Sequence, residues 1–433
     1  MTNTDATLLI RGGRLIDPAS RLDAPADLLI EKGQVRRIGT ALLAPPEVPV
    51  LDATGLVVAP GFIDAHVHLR EPGFEYKETI ASGTAAAASG GICALAAMPN
   101  TNPPPDTGER VEEARRRASS APVRVYQIGC ITLGRQGKCL APLEELARAG
   151  AVAFSDDGDP VEDEALMRRA LELGRQLGVP LFPHEEVKGI TAGGCMHEGQ
   201  VSKRLGVKGM PSAGEEVLIA RDIELVRQTG GPLHIAHIST AGTVELVRRA
   251  KAAGLPVTSE VLTHHFILTD EEVERQGTQA KMSPPLRSHA DVEAMLRGLA
   301  EGVIDTIATD HAPHASEEKK RPLTEAPFGI VGLETAVGLT LTHLVHAGVL
   351  NLAQAVEKWT WAPARILHLP GGHLGIGAPG DVTLIDLDKV WTVDTGLFRS
   401  KSQNTPFEGW KLRGKAVATV VGGRIVYSEL GER

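Results

Sequence analysis

Two histidines one residue apart close the apolar stretch at residues 61–73, which reads Gly-Phe-Ile-Asp-Ala-His-Val-His-Leu-Arg-Glu-Pro-Gly. Its first half is rich in apolar and β-branched residues and predicts a buried strand. Because side chains alternate along a strand, His66 and His68 are expected on the same side, at the carboxyl end. Two imidazoles in this position can bind one cation. An isolated pair of this kind can equally be two core histidines with satisfied hydrogen bonds.

Polar residues of the same kinds follow four more apolar stretches, at the point where each stretch ends. They are Asp156-Asp157, His184-Glu185-Glu186, His237, and Asp310-His311 with His314 shortly after. Each group alone is weak evidence, but together they place four histidines and two carboxylates around one rim. Such nitrogen and oxygen donors suit two cations such as Zn²⁺. A carboxylate between the two ions would offset their repulsion.

The elements that must position these side chains alternate along the middle of the chain. Apolar strand candidates lie near residues 60–66, 91–97, 123–128, 150–155, 179–183, 232–237, 256–261 and 304–309. Helix-like stretches such as residues 163–177 and 215–228 lie between them. This alternation predicts a (β/α)₈ barrel, although a doubly wound open sheet gives a similar pattern. Polar residues clustered after the strands favour the barrel, because its catalytic face lies there.

Strand-like stretches broken by turns mark both ends of the chain instead. They are residues 8–11, 27–31 and 34–38 near the start, and residues 381–386 and 418–426 near the end. We therefore expect residues 1–58 and 370–433 to build one small β-sandwich domain together. Residues 59–369 would form the metal-dependent barrel as an insertion. Within the barrel, residues 185–212 form a long, glycine-containing connection of a kind that often carries function.

The bulk properties are those of an ordinary globular chain. Its 433 residues are 42% hydrophobic and carry a net charge of −9, which gives no support to nucleic-acid binding. The four cysteines form no Cys-x-x-Cys pair and are typical of a reducing compartment. The sequence shows neither a signal-peptide pattern at its start nor an apolar run long enough for a membrane span. We therefore expect a cytoplasmic protein without a membrane segment.

Seven motifs spread over nearly the whole chain resemble those of the class I dihydroorotases of bacteria, in the amidohydrolase superfamily. They are residues 61–73, Met98-Pro99-Asn100-Thr101-Asn102-Pro103, Phe154-Ser155-Asp156-Asp157-Gly158, Met196-His197-Glu198-Gly199, Lys281-Met282-Ser283-Pro284-Pro285-Leu286-Arg287, residues 308–314 and Ala326-Pro327-Phe328-Gly329. The combination is highly specific.

The resemblance implies a barrel that holds two zinc ions and a carboxylate-bearing substrate. The implied ligands are His66, His68 and Asp310 for the first ion, His184 and His237 for the second, and Asp157 as the bridge. The implied substrate contacts are His68, Arg70, Asn100, Ser283, His314, Phe328 and Gly329. The residue types fit independently, because an arginine fork suits a carboxylate and an asparagine amide both donates and accepts. The alternatives are a surface arginine and, at position 100, a turn residue.

The implied activity is the reversible hydrolysis of (S)-dihydroorotate to N-carbamoyl-L-aspartate in pyrimidine (UMP) biosynthesis, with Asp310 moving the proton. One alternative is another cyclic amidase, an allantoinase or dihydropyrimidinase, whose metals are commonly bridged by a carboxylated lysine. No lysine occurs between Lys138 and Lys188, so the fourth strand cannot supply one. The second alternative is a catalytically silent partner of aspartate transcarbamoylase, a class that usually lacks metal ligands. The resemblance leaves a homodimer and a complex with that transcarbamoylase open.

Two positions depart from the family pattern. Ser283 stands where relatives commonly have Asn, and Thr263 where many have Pro. Neither is an expected metal ligand, but a lost amide at position 283 could lower substrate affinity. Asp156 is assigned to hydrogen bonding of its loop, and an exchange of roles with Asp157 is left open. His234 is expected to be structural, since it lies deeper in the same strand as His237.

Overall fold

Both ends of the chain contribute strands to one sheet. The computed structural model describes residues 6–430. The N-terminal strands are β1 (Leu8–Asp17), β2 (Leu22–Glu31), β3 (Gln34–Gly39), β4 (Val50–Asp52) and β5 (Val57–Pro60). Apolar residues of these strands, among them Leu8, Ile10 and Leu28, are buried together in a core of their own. Only Gly61 separates β5 from the next strand, so this sheet leads directly into the barrel.

Parallel strands separated by helices occupy the middle of the chain. They are β6 (Phe62–Val67), β7 (Ile92–Ala97), β8 (Arg124–Gly129), β9 (Ala151–Phe154), the short β10 (Met196–His197) and β11 (Gly209–Met210), β12 (Leu233–Ile235), β13 (Val257–Leu262) and β14 (Thr306–Ala308). Strands β6 to β9 pair in chain order, as do β12 to β14. The short pair β10–β11 and two helices lie in the long connection expected at residues 185–212.

The fifth strand position closes the gap between these two sets. Leu181 forms bridges to both Phe154 and Leu233, and a bridge from Val67 to His311 completes the ring. The sequence predicted a full strand near residues 179–183. Pro180 and Pro183 lack the N–H groups that a ladder needs, which limits the pairing to the residues between them. The eight strand positions thus form the predicted closed barrel.

The C-terminal strands return to the sheet of the N-terminal end. They are β15 (Val382–Thr392), β16 (Lys411–Val421) and β17 (Arg424–Ser428). The sheet order is β17-β16-β15-β5-β1-β2-β3, with β4 beside β1, so the prediction of one β domain built from both ends is confirmed. The boundaries 1–58, 59–369 and 370–433 stay a prediction, and residues 1–5 and 431–433 lie outside the described residues. The first boundary falls inside β5.

Helices follow most barrel strands, and short ones also lie within the connecting loops. They are α1 (Ile80–Ser89), α2 (Gly108–Arg117), α3 (Leu143–Arg148), α4 (Glu164–Leu177), α5 (Lys188–Thr191), α6 (Gln200–Leu205), α7 (Ala213–Thr229), α8 (Ala241–Ala252), α9 (Glu271–Gln276), α10 (His289–Ala300), α11 (Ser316–Lys319), α12 (Ala336–Thr340), α13 (Leu352–Trp359) and α14 (Trp361–Ile366). The two helices predicted from sequence are α4 and α7. Asp163 caps α4 at its start, and Gly178 ends it at φ +66°. None of the helices within residues 6–430 combines the length and apolar character of a membrane crossing.

Candidate metal centre and substrate pocket

The first cluster of donor atoms lies at the carboxyl end of β6. His66 Nε2 and His68 Nε2 are each 3.5 Å from an oxygen of Asp157. Asp310, just after β14, places Oδ1 2.7 Å from His68 Nε2 and 3.6 Å from His66 Nε2. All four side chains are buried. The two histidines therefore face the same side, as the alternation along the strand predicted.

The second cluster shares the same aspartate. His184 Nδ1 is 3.7 Å and His237 Nε2 is 3.5 Å from Asp157 Oδ1, and these two nitrogens are 3.0 Å apart. Among the described residues, two groups could each hold a metal ion, namely His66, His68 and Asp157, and Asp157, His184 and His237. Asp157 belongs to both groups, which is the geometry that a bridging ligand requires.

The neighbouring Asp156 points the other way. Its Oδ1 accepts hydrogen bonds from the backbone N–H groups of Ile131 and Thr132 at 2.9 and 3.1 Å. It also accepts a hydrogen bond from the Thr132 hydroxyl. Asp156 thus holds the loop after β8, and Asp157 is the carboxylate that enters the cluster.

Three polar side chains contact the histidine rings on the side away from Asp157. Glu260 Oε1 lies 2.6 Å from His66 Nδ1, Asn100 Oδ1 lies 2.7 Å from His68 Nδ1, and Glu186 Oε2 lies 3.2 Å from His184 Nε2. In each case the ring nitrogen that faces Asp157 is the other one. Partners of this kind fix the tautomer and orientation of metal-binding histidines.

The sequence analysis missed Glu260, and it named Glu186 only within a candidate group without giving it a role. The signal for Glu260 was available, because a glutamate inside the apolar strand β13 needs a buried partner. Its second oxygen lies 3.3 Å from His234 Nε2. His234 is therefore structural as predicted, and it also orients Glu260. His311, whose ring lies 3.3 Å from Glu78, takes no part in the cluster.

The electrostatics of the cluster favour bound cations. Burial would raise the pKa of Asp157, but its contacts with three histidines hold it well below the usual range. Burial would lower the pKa of His184, but Asp157 and Glu186 raise it to about 9. In His66, too, Asp310 and Glu260 outweigh burial and raise the pKa. The surrounding charge is thus negative enough to favour protons on His66 and His184, whereas burial lowers the pKa of His68. A dication can replace such protons.

One buried atom of the cluster lacks a partner that a metal ion would supply. His66 Nε2 is buried and has no hydrogen-bond partner among the described residues. A buried polar atom without a partner carries a desolvation cost that a metal bond removes. Since imidazole nitrogens and carboxylate oxygens are ligands of borderline cations, the residues fit the family's implied metal centre.

A cavity of about 480 Å³ opens beside the cluster. Every substrate contact implied by the resemblance lines it, namely His68, Arg70, Asn100, Ser283, His314, Phe328 and Gly329. Arg70 Nε donates to the Pro313 carbonyl at 3.2 Å, and its Nη2 lies 3.5 Å from His314 Nε2. Burial, together with the positive charges of Arg70 and two lysines, lowers the pKa of His314 far below its usual range. This wall of the cavity is therefore positively charged and suits an anionic group.

Three of the site residues have a strained backbone conformation. Arg70, His237 and Asp310 have positive φ values of +61°, +35° and +44°. Residues other than glycine rarely adopt this conformation, and it clusters at functional sites. The two family departures also lie near the cavity or are buried. Ser283 lines the cavity, and the buried Thr263 hydroxyl has no hydrogen-bond partner among the described residues.

The chain is similar to known proteins over nearly its whole length. The model of the Dihydro-orotase-like family matches residues 55–243, and that of the Amidohydrolase family matches residues 212–427. A curated protein from Pelotomaculum thermopropionicum named Dihydroorotase is 52% identical over 98% of this chain and 99% of its own length. One with the same name from Citrifermentans bemidjiense is 51% identical over 97% and 99%.

Solved structures with a similar fold carry other names. L-Hydantoinase (Dihydropyrimidinase) from Arthrobacter aurescens superposes with a TM-score of 0.89 at 26% identity, covering 98% of this chain and 97% of that one. D-Hydantoinase (Dihydropyrimidinase) from Thermus sp. gives a TM-score of 0.85 at 28% identity, with the same coverages. These structures share the whole architecture, while the curated relatives are about twice as similar in sequence.

Proposed function

The chain belongs to the dihydroorotase family, and we propose that it interconverts (S)-dihydroorotate and N-carbamoyl-L-aspartate in pyrimidine biosynthesis. The observation that carries this proposal is the pairing of two unlike walls in one cavity. On one side Asp157 joins two groups that could each hold a metal ion, and on the other Arg70 presents positive charge and hydrogen-bond donors beside the neutral His314. A cyclic amide that bears a carboxylate needs both walls.

We propose that the cofactor is a pair of zinc ions. His66, His68 and Asp310 would hold the first, His184 and His237 the second, and Asp157 would bridge them. Bound zinc lowers the pKa of a water molecule towards ~7 and polarises a carbonyl group. The bridge needs no modification, because an aspartate is already an anion near neutral pH and both histidine clusters lower its pKa further.

Asp310 is proposed to move the proton. Its carboxylate lies between the metal ligands and the cavity, and His66 and His68 outweigh burial and lower its pKa. An ionised carboxylate in this place can take a proton from the attacking water and pass it to the leaving ring nitrogen. In the direction of ring closure the same group begins protonated.

Arg70, Asn100 and His314 are proposed to bind the substrate carboxylate. Arg70 offers a planar fork of donors, which pairs with a carboxylate through two parallel hydrogen bonds. Asn100 already contacts His68 through Oδ1 and Asp157 through Nδ2 at 3.3 Å, which leaves one N–H for a substrate. Asn100 would then connect the two walls. His68, Ser283, Phe328 and Gly329 would enclose the ring.

Three further proposals follow from the family. We propose a homodimer and a complex with aspartate transcarbamoylase, which sedimentation of the protein alone and mixed with that enzyme tests. We also propose a cytoplasmic location, because all four cysteines are free thiols and three of them are buried. Antibody detection after cell fractionation tests the location.

The activity itself is tested by turnover of dihydroorotate with the zinc-loaded protein, followed in both directions. Allantoin and dihydrouracil serve as substrates for the other cyclic amidases. Turnover of dihydroorotate well above both is the expected result. Preference for dihydrouracil would indicate the dihydropyrimidinase alternative, and no turnover with full metal content would indicate the silent partner.

A further inference from the structure

The cavity wall that contains His314 is made from the two ends of one loop, residues 312–329. Ala312 and His314 form the first end, and Phe328 and Gly329 form the second. The ends touch closely, since a Cβ atom on Gly329 would lie 2.6 Å from the Ala312 carbonyl oxygen and 2.7 Å from His314 Cδ2. The shape of this wall therefore depends on how the two ends are held together.

Asn404 joins the two ends through its side-chain amide. It comes from the segment before β16 and is 3% exposed. Its Oδ1 accepts a hydrogen bond from the His314 backbone N–H at 3.1 Å. Its Nδ2 donates to the carbonyls of Ala312 and Gly329, both at 3.0 Å. Both N–H groups and the oxygen of the amide are thus used on the wall.

Lys319 holds the second end from within the loop. Its Nζ donates to the carbonyls of Gly329 at 3.0 Å and Pro327 at 3.1 Å, and it is also 3% exposed. Burial lowers the pKa of this ammonium group to about 7. Buried lysines are usually paired with carboxylates, whereas this one points at backbone carbonyls of the wall. Asn404 and Lys319 thus converge on the same Gly329 oxygen.

A second cavity lies behind this wall. This cavity measures about 340 Å³, and His314, Lys319 and Asn404 all line it. The wall thus borders open space on two sides, while Asn404 and Lys319 are themselves buried. Its position therefore depends on the hydrogen bonds that cross it.

We propose that Asn404 and Lys319 are positioning residues that fix this wall and thereby set the affinity for the substrate. The effect passes through Arg70, whose guanidinium donates to the Pro313 carbonyl and approaches His314. When the two ends separate, Arg70 loses the contacts that aim it into the cavity. The proposal rests on the function proposed above for the same site.

The kinetic test compares Asn404→Ala and Lys319→Met with the wild type and with Gln403→Ala. Gln403 is the exposed neighbour of Asn404 and donates to Thr395 instead of the wall. We expect KM for dihydroorotate to rise about tenfold in the first two variants, since each loses more than one hydrogen bond. We expect kcat to change by less than about threefold, and zinc content to stay at the wild-type value, since neither residue touches a metal-binding group. Gln403→Ala should keep the wild-type KM.

Limited proteolysis tests the wall without using activity. Lys320 lies exposed in the same loop, and trypsin cleaves after lysine, whereas Pro322 blocks cleavage after Arg321. Cleavage there should be faster in Asn404→Ala and Lys319→Met than in the wild type and Gln403→Ala. Unchanged KM together with unchanged cleavage in both variants would overturn the proposal. If the wild type fails to turn over dihydroorotate, the proposed function is wrong, while the cleavage rates still decide whether these residues hold the wall.

Discussion

The histidines on the two walls of the cavity are in opposite electrostatic environments. His184 and His66 lie among carboxylates, which outweigh burial and raise their pKa values. Burial lowers the pKa of His314, on the other wall, and nearby cationic side chains act in the same direction, although the Glu318 carboxylate lies 3.5 Å from its Nδ1. One wall is therefore built to attract cations and the other to attract an anion. The same residue type serves both because its neighbours, and not its intrinsic chemistry, decide its charge.

The two walls also differ in what holds them. The proposed metal ligands lie at or just after strand ends, and the rings of His66 and His184 are held by the carboxylates of Glu260 and Glu186. The opposite wall is a loop held by hydrogen bonds to backbone carbonyls. Substitutions on the first wall should therefore cost metal or chemistry, and those on the second should cost substrate affinity while the metal stays bound.

The largest effect is expected from Asp310→Asn, which alters the residue that links the metal wall to the reaction. Turnover should fall by about 10²–10⁴-fold in both directions, because one group moves the proton either way. Some metal should remain, since an amide oxygen still coordinates weakly. Assays of hydrolysis and of ring closure, with metal analysis, measure this. Loss of hydrolysis with ring closure intact would mean that a different acid serves the reverse reaction.

Arg70→Met should show most clearly that the two walls have separate roles. Removing hydrogen bonds to a charged group costs about 1.5–3 kcal/mol, so kcat/KM should fall roughly 10- to 150-fold. Zinc content should equal that of the wild type. Arg116→Met, on the exposed face of α2, is the matched control. A near-normal kcat/KM for Arg70→Met would mean that Arg70 does not bind the substrate carboxylate.

Glu260→Gln should weaken zinc binding without removing a proposed metal ligand. Gln keeps the shape but loses the charge that orients His66, and such a change typically costs about 10–100-fold in metal affinity or activity. Competition with a chelator measures the zinc affinity. Glu301→Gln is the control, since that side chain is exposed and pairs with Arg248 on the surface. Equal zinc affinity in the two variants would mean that Glu260 has only a packing role.

The smallest mutational effect is expected from His314→Ala. We expect KM to rise roughly tenfold, as for the loss of a single hydrogen bond to a charged group. Zinc content should be unchanged, because His314 lies on the opposite wall. His289→Ala, at an 81% exposed side chain, is the control. If a full equivalent of zinc were lost, His314 would belong to the metal wall.

Much of the fold could be predicted from the spacing of apolar residues and from the turn residues between the predicted elements. Seven of the eight barrel strands and both helices named in advance lie where the apolar patterns placed them. The fifth strand was predicted too long, because Pro180 and Pro183 remove donors that the apolar pattern does not reveal. The pairing of both chain ends could be inferred from their similar strand-and-turn texture, but the order of strands in the sheet could not.

The site was predictable where strand ends carried histidine or aspartate. Glu260 and Asn404 escaped notice for different reasons. In the sequence, Glu260 is a single charged residue in the apolar strand β13. Its partners, His66 and His234, become visible only in the structure. Asn404 is distant in sequence from the loop that it holds, and only the folded chain brings its amide to His314 and Gly329. Contacts of this kind depend on tertiary structure and leave no local pattern.

The central claim is that Asp157 alone bridges two metals beside a wall for the substrate carboxylate. Titration of the metal-free protein with zinc in bicarbonate-free buffer, followed by dihydroorotate turnover, tests it most directly. We predict that activity rises to a plateau at two equivalents of zinc per chain and that added bicarbonate leaves the plateau unchanged, because the bridge is an unmodified aspartate. A plateau at one equivalent, or turnover that appears only with bicarbonate, would contradict the claim.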